Sequence, residues 1–153
     1  MSWTIKKAIL VPYDFTEHSH AAVDKALEIS DDKTLVHVLH VLPCALLPTS
    51  FPAEEIDDHA RIEYAEKLLA GEFQDPIYAG VVREVRVGDP GTICADRAES
   101  LQADLIVLPS HGRSGISRLL LGSVTERIVR LADRKSTRLN SSHPRLSRMP
   151  SSA

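Results

Sequence analysis

Residues 105–123 read LIVLPSHGRSGISRLLLGS, and this stretch decides the fold of the chain. It opens with an apolar run over residues 105–108, which predicts a buried strand. A polar loop containing Gly112 and Gly115 follows, and helical apolar spacing begins after Gly122. Glycine lets a backbone approach a ligand closely, and the free N–H groups at the start of a helix attract anions. The stretch therefore predicts a strand, a loop shaped to hold phosphate, and a helix.

Outward from this stretch, strand-like segments alternate with helical ones. The predicted strands cover residues 8–11, 34–42, 81–87 and 105–108. Strands that alternate with helices indicate a parallel sheet with right-handed crossovers and helices on both faces. Ligands bind to such sheets beyond the carboxyl ends of the strands, where the strand order reverses. Three loops are predicted at that edge: residues 12–17, the segment from residue 42 onward, and residues 109–115.

Apolar residues at spacings of three and four predict the helices, and polar residues before two of them predict caps. Thr16 precedes the first helix, and Asp89 with Pro90 precedes the third. The four predicted stripes are Val23, Ala26, Leu27 and Ser30; Ile56, Ala60, Tyr64 and Leu68; Cys94, Ala98 and Leu101; and Leu121, Val124, Ile128 and Leu131.

The composition predicts one soluble globular domain. Of the 153 residues, 43% are hydrophobic, which allows a sizeable core, and the net charge is −3. This charge gives no reason to expect nucleic acid or a membrane as a partner. No apolar run approaches the roughly 20 residues of a membrane helix, and no signal peptide is recognisable, so a cytoplasmic location is expected. Cys44 and Cys94 are predicted as small core residues, and no metal site is expected.

The composition changes abruptly at Asp133. From there to Ala153 the chain has no apolar period and is rich in basic residues. A basic arm for nucleic acid or anionic lipid is one interpretation, and a disordered, solvated tail is another. A third is stronger, because residues 133–143, DRKSTRLNSSH, resemble residue for residue the translation of a common sequencing adapter. We therefore expect a native domain over residues 1–132 and a non-native, disordered tail over residues 133–153.

Five segments between Lys6 and about Ala132 resemble the universal stress protein (UspA-like) family. In order they are AILVPYDFTEHS, LHVLP, VRVGDPGTI, ADLIVLPSHGR and SRLLLGSVTERIV. The resemblance implies a Rossmann-like α/β nucleotide-binding fold, similar to the adenine nucleotide alpha hydrolases, with strand order 3-2-1-4-5 and usually a homodimer. A last strand is missing after Ala132, so the expected order here is 3-2-1-4. We expect the exposed strand edge to impair dimerisation.

The glycine loop matches the family's nucleotide motif with one departure. Members that bind ATP carry Gly-x2-Gly-x9-Gly-Ser/Thr, and Gly112, Gly122 and Ser123 fall on its last three positions. Pro109 stands where the motif has its first glycine. Proline fixes φ and removes an N–H donor, so nucleotide affinity should fall if that glycine acts through its N–H or a positive φ. If the glycine only ends the strand, proline is tolerated.

The resemblance also assigns the two ends of the site. It assigns the nucleoside to Pro12, Tyr13, Asp14 and the backbone of Val41, with Asp14 near the ribose or base. It assigns the phosphates to the loop and the helix start: Pro109, His111, Gly112, Arg113, Gly122, Ser123, Val124 and Thr125. The residues alone leave other roles open, because Asp14 could be a turn carboxylate and Ser123 and Thr125 could cap the helix. Helix capping is compatible with phosphate contact.

The predicted function is a stress-response regulator that binds ATP or a related adenine nucleotide, with or without Mg²⁺. The alternative is an interaction module of the same fold whose pocket Pro109 has spoiled for nucleotides. The sequence shows no Walker lysine, magnesium carboxylate pair or nucleophile–base pair, so no dedicated enzyme is expected. Slow hydrolysis of bound ATP stays compatible with this expectation.

Overall fold

The computed structural model describes residues 4–44, 57–109 and 123–135, with the backbone alone for Ser123 and residues 132–135. Its strands are β1 (Ile9–Pro12), β2 (Val36–Leu42), β3 (Val82–Val87) and β4 (Leu105–Ile106). Its helices are α1 (Glu17–Ile29), α2 (Asp58–Glu72), α3 (Pro90–Ser100) and α4 (Ser123–Lys135). Single 3₁₀ turns, Lys33–Leu35 and Pro76–Tyr78, lie before β2 and β3.

The four strands form one parallel sheet in the order β3-β2-β1-β4. The central strand β1 pairs with β2 through Ile9 and Val36, and with β4 through Ile9 and Leu105. This α/β fold and its strand order confirm the prediction. The order reverses between β1 and β4, so a crevice is expected beyond the carboxyl ends of these two strands.

Helices cover both faces of the sheet, and each face has its own core. Successive residues of β1 point to opposite faces, so Val11 enters one core and Leu10 the other. The first core lies under α1 and α2 and includes Val23 and Leu69. The second lies under α3 and α4 and includes Cys94, Ala98, Leu39 and Ile128.

The predicted helix caps are confirmed. The hydroxyl of Thr16 accepts a hydrogen bond from the Ser19 backbone N–H at 3.2 Å, and the carboxylate of Asp89 accepts one from Thr92 at 2.9 Å. Pro90 occupies the first turn of α3, where its missing N–H costs no hydrogen bond. The caps place α1 and α3 immediately after the carboxyl ends of β1 and β3.

The predicted apolar stripe of α2 marks a real helix but not its buried face. The side chain of Tyr64 is 66% exposed and that of Leu68 is 44% exposed. Ala65 and Leu69, one position further along, are buried instead. Both stripes have the same spacing of four, so periodicity finds the helix without choosing between them.

Three smaller predictions also need correction. Strand β2 starts at Val36 rather than Thr34, because Asp32 caps the 3₁₀ turn over the preceding residues. Strand β4 ends at Ile106, although the Val107 N–H still donates to the Leu10 carbonyl at 2.9 Å. Cys44 is exposed, whereas Cys94 is buried as predicted.

Helix α4 runs to Lys135, which is three residues past the end predicted for the native domain at residue 132. The rest of the predicted tail lies outside the described residues. Within the described part of the chain, no helix has the length and apolar character needed to cross a membrane.

Candidate functional site

A cavity of about 280 Å³ opens at the carboxyl edge of the sheet. It lies between the ends of β1, β2 and β4 and the first turns of α3 and α4. This is the edge at which parallel sheets bind ligands. The lining residues are Pro12, Tyr13, Asp14, Leu39, His40, Val41, Pro90, Cys94, Leu108, Pro109, Val124, Thr125 and Ile128.

The structure brings both predicted ends of the site to this cavity. From the nucleoside end the lining residues are Pro12, Tyr13, Asp14 and Val41, and from the phosphate end they are Pro109, Val124 and Thr125. Val124 is 42% exposed, so this residue of the predicted α4 stripe faces the cavity mouth rather than the core. The remaining predicted residues lie outside the described residues: His111, Gly112, Arg113, Gly122 and the side chain of Ser123.

Tyr13 lines the cavity at the end of β1, while its ring belongs to the core under α1 and α2. The ring is buried in the core on the opposite face of the sheet, under α1 and α2. There the hydroxyl donates to Glu72 at 3.2 Å and lies 3.2 Å from Nδ1 of His20. Burial, with the adjacent Glu72 carboxylate, raises the pKa of the Tyr13 phenol, so the hydroxyl stays protonated. The Tyr13 side chain therefore fixes the end of β1 through contacts on the α1 and α2 face of the sheet.

Asp14 is the carboxylate of the cavity. Its Oδ1 atom accepts hydrogen bonds from the Thr16 backbone N–H at 3.1 Å and from the Thr16 hydroxyl at 2.5 Å. Partial burial alone would raise the pKa of Asp14, but the hydrogen bonds from Thr16 and Ser19 outweigh it and lower the pKa. Asp14 is therefore ionised at neutral pH and can accept hydrogen bonds from hydroxyl or amino groups of a ligand.

His40 lines the cavity and was not among the predicted site residues. Its Nδ1 atom lies 2.7 Å from the carbonyl oxygen of Tyr13, and its ring meets the edge of Phe15 at a centroid distance of 4.7 Å. Phe15 has a φ of +63°, a left-handed conformation that is uncommon for a bulky residue. A signal existed in the sequence, because His40 is a polar residue near the carboxyl end of a predicted strand.

Apolar groups form most of the cavity wall. Three prolines from different elements, Pro12, Pro90 and Pro109, line it, and none of them has a backbone N–H to offer a ligand. The thiol of Cys94 adds to this wall, and burial raises its pKa to about 12, so it stays neutral. Among the residues that the structure describes, no cluster of three or more His, Cys, Asp or Glu could hold a metal ion.

The cavity therefore combines three chemical features. Apolar surfaces suit a flat ring, and the ionised Asp14 suits hydroxyl or amino groups. The start of α4 reaches the cavity through Val124 and Thr125. The first N–H groups of a helix have no partner within the helix and form the positive end of its dipole, which suits an anion.

Comparison with known proteins identifies the family. The family model described as the universal stress protein family matches residues 6–135. This chain belongs to the universal stress protein family. Universal stress protein G of Shigella flexneri is 34% identical over 136 residues, which cover 83% of this chain and 94% of that protein. Universal stress protein MJ0531 of Methanocaldococcus jannaschii is 31% identical over 135 residues, covering 82% and 77% of the two chains.

Solved structures agree with this fold. The hypothetical protein MJ0577 has a TM-score of 0.59 and 27% identity to this universal stress protein, with 83% of this chain and 90% of that chain covered. UspA from Lactobacillus plantarum has a TM-score of 0.61 and 24% identity, covering 82% and 92%, and supports the fold. The cavity thus lies at the carboxyl edge of the sheet in a universal stress protein.

Proposed function

We propose that this universal stress protein binds ATP or a related adenine nucleotide in the cavity, and that the nucleotide regulates a stress response by changing conformation or partner binding. One observation carries the proposal. The cavity brings together an apolar wall, the ionised Asp14 and the N-terminal turn of α4. An adenine nucleotide has a part that suits each of them, namely a flat base, ribose hydroxyls and an anionic phosphate chain.

The proposed orientation follows from the chemistry of each wall. The base lies among the apolar side chains near Val41, and the ribose lies near Asp14. The phosphates lie at the start of α4, where the helix dipole and the hydroxyl of Thr125 favour negative charge. The family motif adds Gly112, Gly122 and Ser123 to the same end, and Arg113 supplies a positive charge. Mg²⁺ bound to the phosphates is compatible with this orientation.

In this proposal the nucleotide is a regulatory ligand rather than the substrate of a dedicated enzyme. The family resemblance supports a cytoplasmic protein that forms a homodimer. The net charge of −3 supports a protein that has neither nucleic acid nor a membrane as its partner.

Calorimetric titration with ATP tests the proposal. The expected result is saturable binding, weakened about tenfold or more by Asp14→Asn, because a hydrogen bond to a charged group contributes about 1.5–3 kcal/mol. Asp31→Asn is a matched control, since Asp31 is an exposed carboxylate near the amino end of β2, at the opposite edge of the sheet. The absence of both heat and a thermal shift at millimolar ATP would overturn the proposal.

A second candidate, a non-nucleotide interaction module, is favoured by the position of Pro109. This residue lies on the cavity wall and has no N–H to donate to a phosphate. Pro109→Gly restores the donor, so stronger ATP binding by this variant supports a nucleotide site that proline has weakened. If neither the wild type nor Pro109→Gly binds ATP, the interaction module is the better account.

A further inference from the structure

Gly91 lies at a contact between α3 and α4, next to residues that line the cavity. It is buried in the first turn of α3, against the side chain of Arg127 on α4. A Cβ atom built on Gly91 would lie 2.7 Å from Cγ, 2.8 Å from Cδ and 3.0 Å from Cβ of Arg127. Carbon atoms in contact normally stay about 3.5–4.0 Å apart. Any larger residue at position 91 therefore has to push the two helices apart or displace the arginine.

The charged end of Arg127 also reaches α3, in a solvent-exposed ion pair. Its Nε atom lies 3.2 Å from Oδ2 of Asp89, the residue that caps α3. The same oxygen accepts the capping hydrogen bond from the Thr92 backbone N–H. The stem of Arg127 thus rests on Gly91 while its guanidinium group pairs with Asp89.

This contact lies directly behind the cavity wall. On α3 the lining residues Pro90 and Cys94 stand one position before Gly91 and three positions after it. On α4 the lining residues Thr125 and Ile128 stand two positions before Arg127 and one after it. A change in the spacing of the helices at Gly91 must therefore move the start of α4 relative to the ends of β1 and β2.

We propose that Gly91 is a positioning residue for ligand binding, because its missing side chain sets the width of the cavity between the sheet edge and α4. This proposal takes its ligand from the proposed function, but the contact between Gly91 and Arg127 is present whether or not a ligand binds. Widening the cavity moves the α4 N-terminus away from the phosphates, while the contacts of the nucleoside with β1 and β2 are kept.

The first experiment compares ATP with adenosine. Gly91→Ala should weaken ATP binding about tenfold, within the range of coupling between contacting residues, and should lower the ratio of ATP affinity to adenosine affinity. In the double variant, Arg127→Ala removes Cγ and Cδ, the two atoms closest to the new Cβ, and should restore most of the ratio of ATP affinity to adenosine affinity. Arg127→Ala is also measured alone, which completes the double-mutant cycle. Gly71→Ala on α2 is the matched control, because a Cβ there meets nothing within 4 Å.

A second readout needs no nucleotide. Cys94 lines the cavity, and its buried, neutral thiol should react slowly with a small thiol reagent, so a faster reaction reports a more open cavity. In a Cys44→Ser background, which removes the exposed thiol, Gly91→Ala should raise this rate at unchanged secondary structure, and Arg127→Ala should reverse the increase. Gly71→Ala should leave the rate unchanged.

The two experiments separate the two proposals. If wild-type protein binds no ATP, the proposed function fails, and the labelling rates still decide whether Gly91 sets the width of the cavity. If ATP binds but Gly91→Ala changes neither the affinity ratio nor the labelling rate, the positioning role is wrong. The positioning role is also wrong if Gly91→Ala has an effect that Arg127→Ala does not reverse, because the clash with Arg127 would then not be its cause.

Discussion

The Nδ1 atom of His40 donates a 2.7 Å hydrogen bond to the carbonyl oxygen of Tyr13. A carbonyl oxygen can only accept, so Nδ1 carries the hydrogen and a neutral His40 ring keeps its lone pair on Nε2. The bond joins the end of β2 to the end of β1 at the cavity, next to the Asp14 carboxylate. His40 therefore holds the backbone segment that presents Asp14.

Replacing His40 should show how much the site depends on this bond. His40→Leu leaves the Tyr13 carbonyl without its donor, so the free energy of unfolding should fall by about 1–3 kcal/mol. ATP affinity should fall as well, because Asp14 loses its fixed position. His40→Asn can still donate from its amide nitrogen and should stay closer to the wild type in both measurements. Urea unfolding and calorimetry test this, and equal losses in the two variants would contradict it.

Tyr13→Phe should separate stability from ligand binding. The hydroxyl that it removes contacts Glu72 and His20 on the face of the sheet away from the cavity. We expect the free energy of unfolding to fall by about 1–3 kcal/mol, because these partners lose a hydrogen bond. ATP affinity should stay within about twofold of the wild type. A large loss of affinity would show that the ring acts on the cavity after all.

The exposed and buried stripes of α2 can be compared by two neighbouring substitutions of the same kind. Leu69 is 1% exposed, and Leu69→Ala should lower the free energy of unfolding by about 2–5 kcal/mol. Leu68 is partly exposed, and Leu68→Ala should cost less than about 1 kcal/mol. Urea denaturation of the two variants measures both values. Equal costs, or the reverse order, would mean that α2 is rotated relative to the structure described here.

His37 makes a prediction about acid stability. Burial, with a smaller contribution from Arg97, lowers the pKa of His37 below its ordinary value of 6.5, although Glu84 opposes the shift. Its buried Nδ1 atom also has no hydrogen-bond partner among the residues that the structure describes. The unfolded chain therefore binds a proton more readily, and the stability due to neutral His37 is lost as the pH falls below about 6.5.

His37→Leu removes this proton-binding difference. Its free energy of unfolding relative to the wild type should rise as the pH is lowered from 7.5 to 5.5, because only the wild type has to keep a buried imidazole neutral. Urea unfolding at several pH values measures the free energy of unfolding of both proteins. Groups other than His37 titrate in both, so their contributions cancel in the difference between the variant and the wild type. A difference that does not change with pH would contradict the prediction.

The order of the elements could be predicted from the sequence because its signals are local. The apolar run before Pro12 and the caps at Thr16 and Asp89 depend on residues a few positions apart. The predicted strand order 3-2-1-4 came from the family resemblance, and the structure confirms it. Parallel strands bring their carboxyl ends to one edge, so the loops that contain Asp14 and Pro109 could be placed at that edge before any contact was known. Val41 and the site roles of all three residues came from the family resemblance.

The tertiary structure decided what depends on contacts between distant segments. Tyr64 and Leu69 belong to equally periodic stripes of α2, and only packing against the sheet selects the one that is buried. Tyr13 and His40 are 27 positions apart, so no local pattern could show that one holds the other. The same is true of Gly91 and Arg127, because the need for glycine arises only where α4 crosses α3. Periodicity and caps act within a few residues, whereas the cavity of this protein is shaped by side chains that the folded chain brings together.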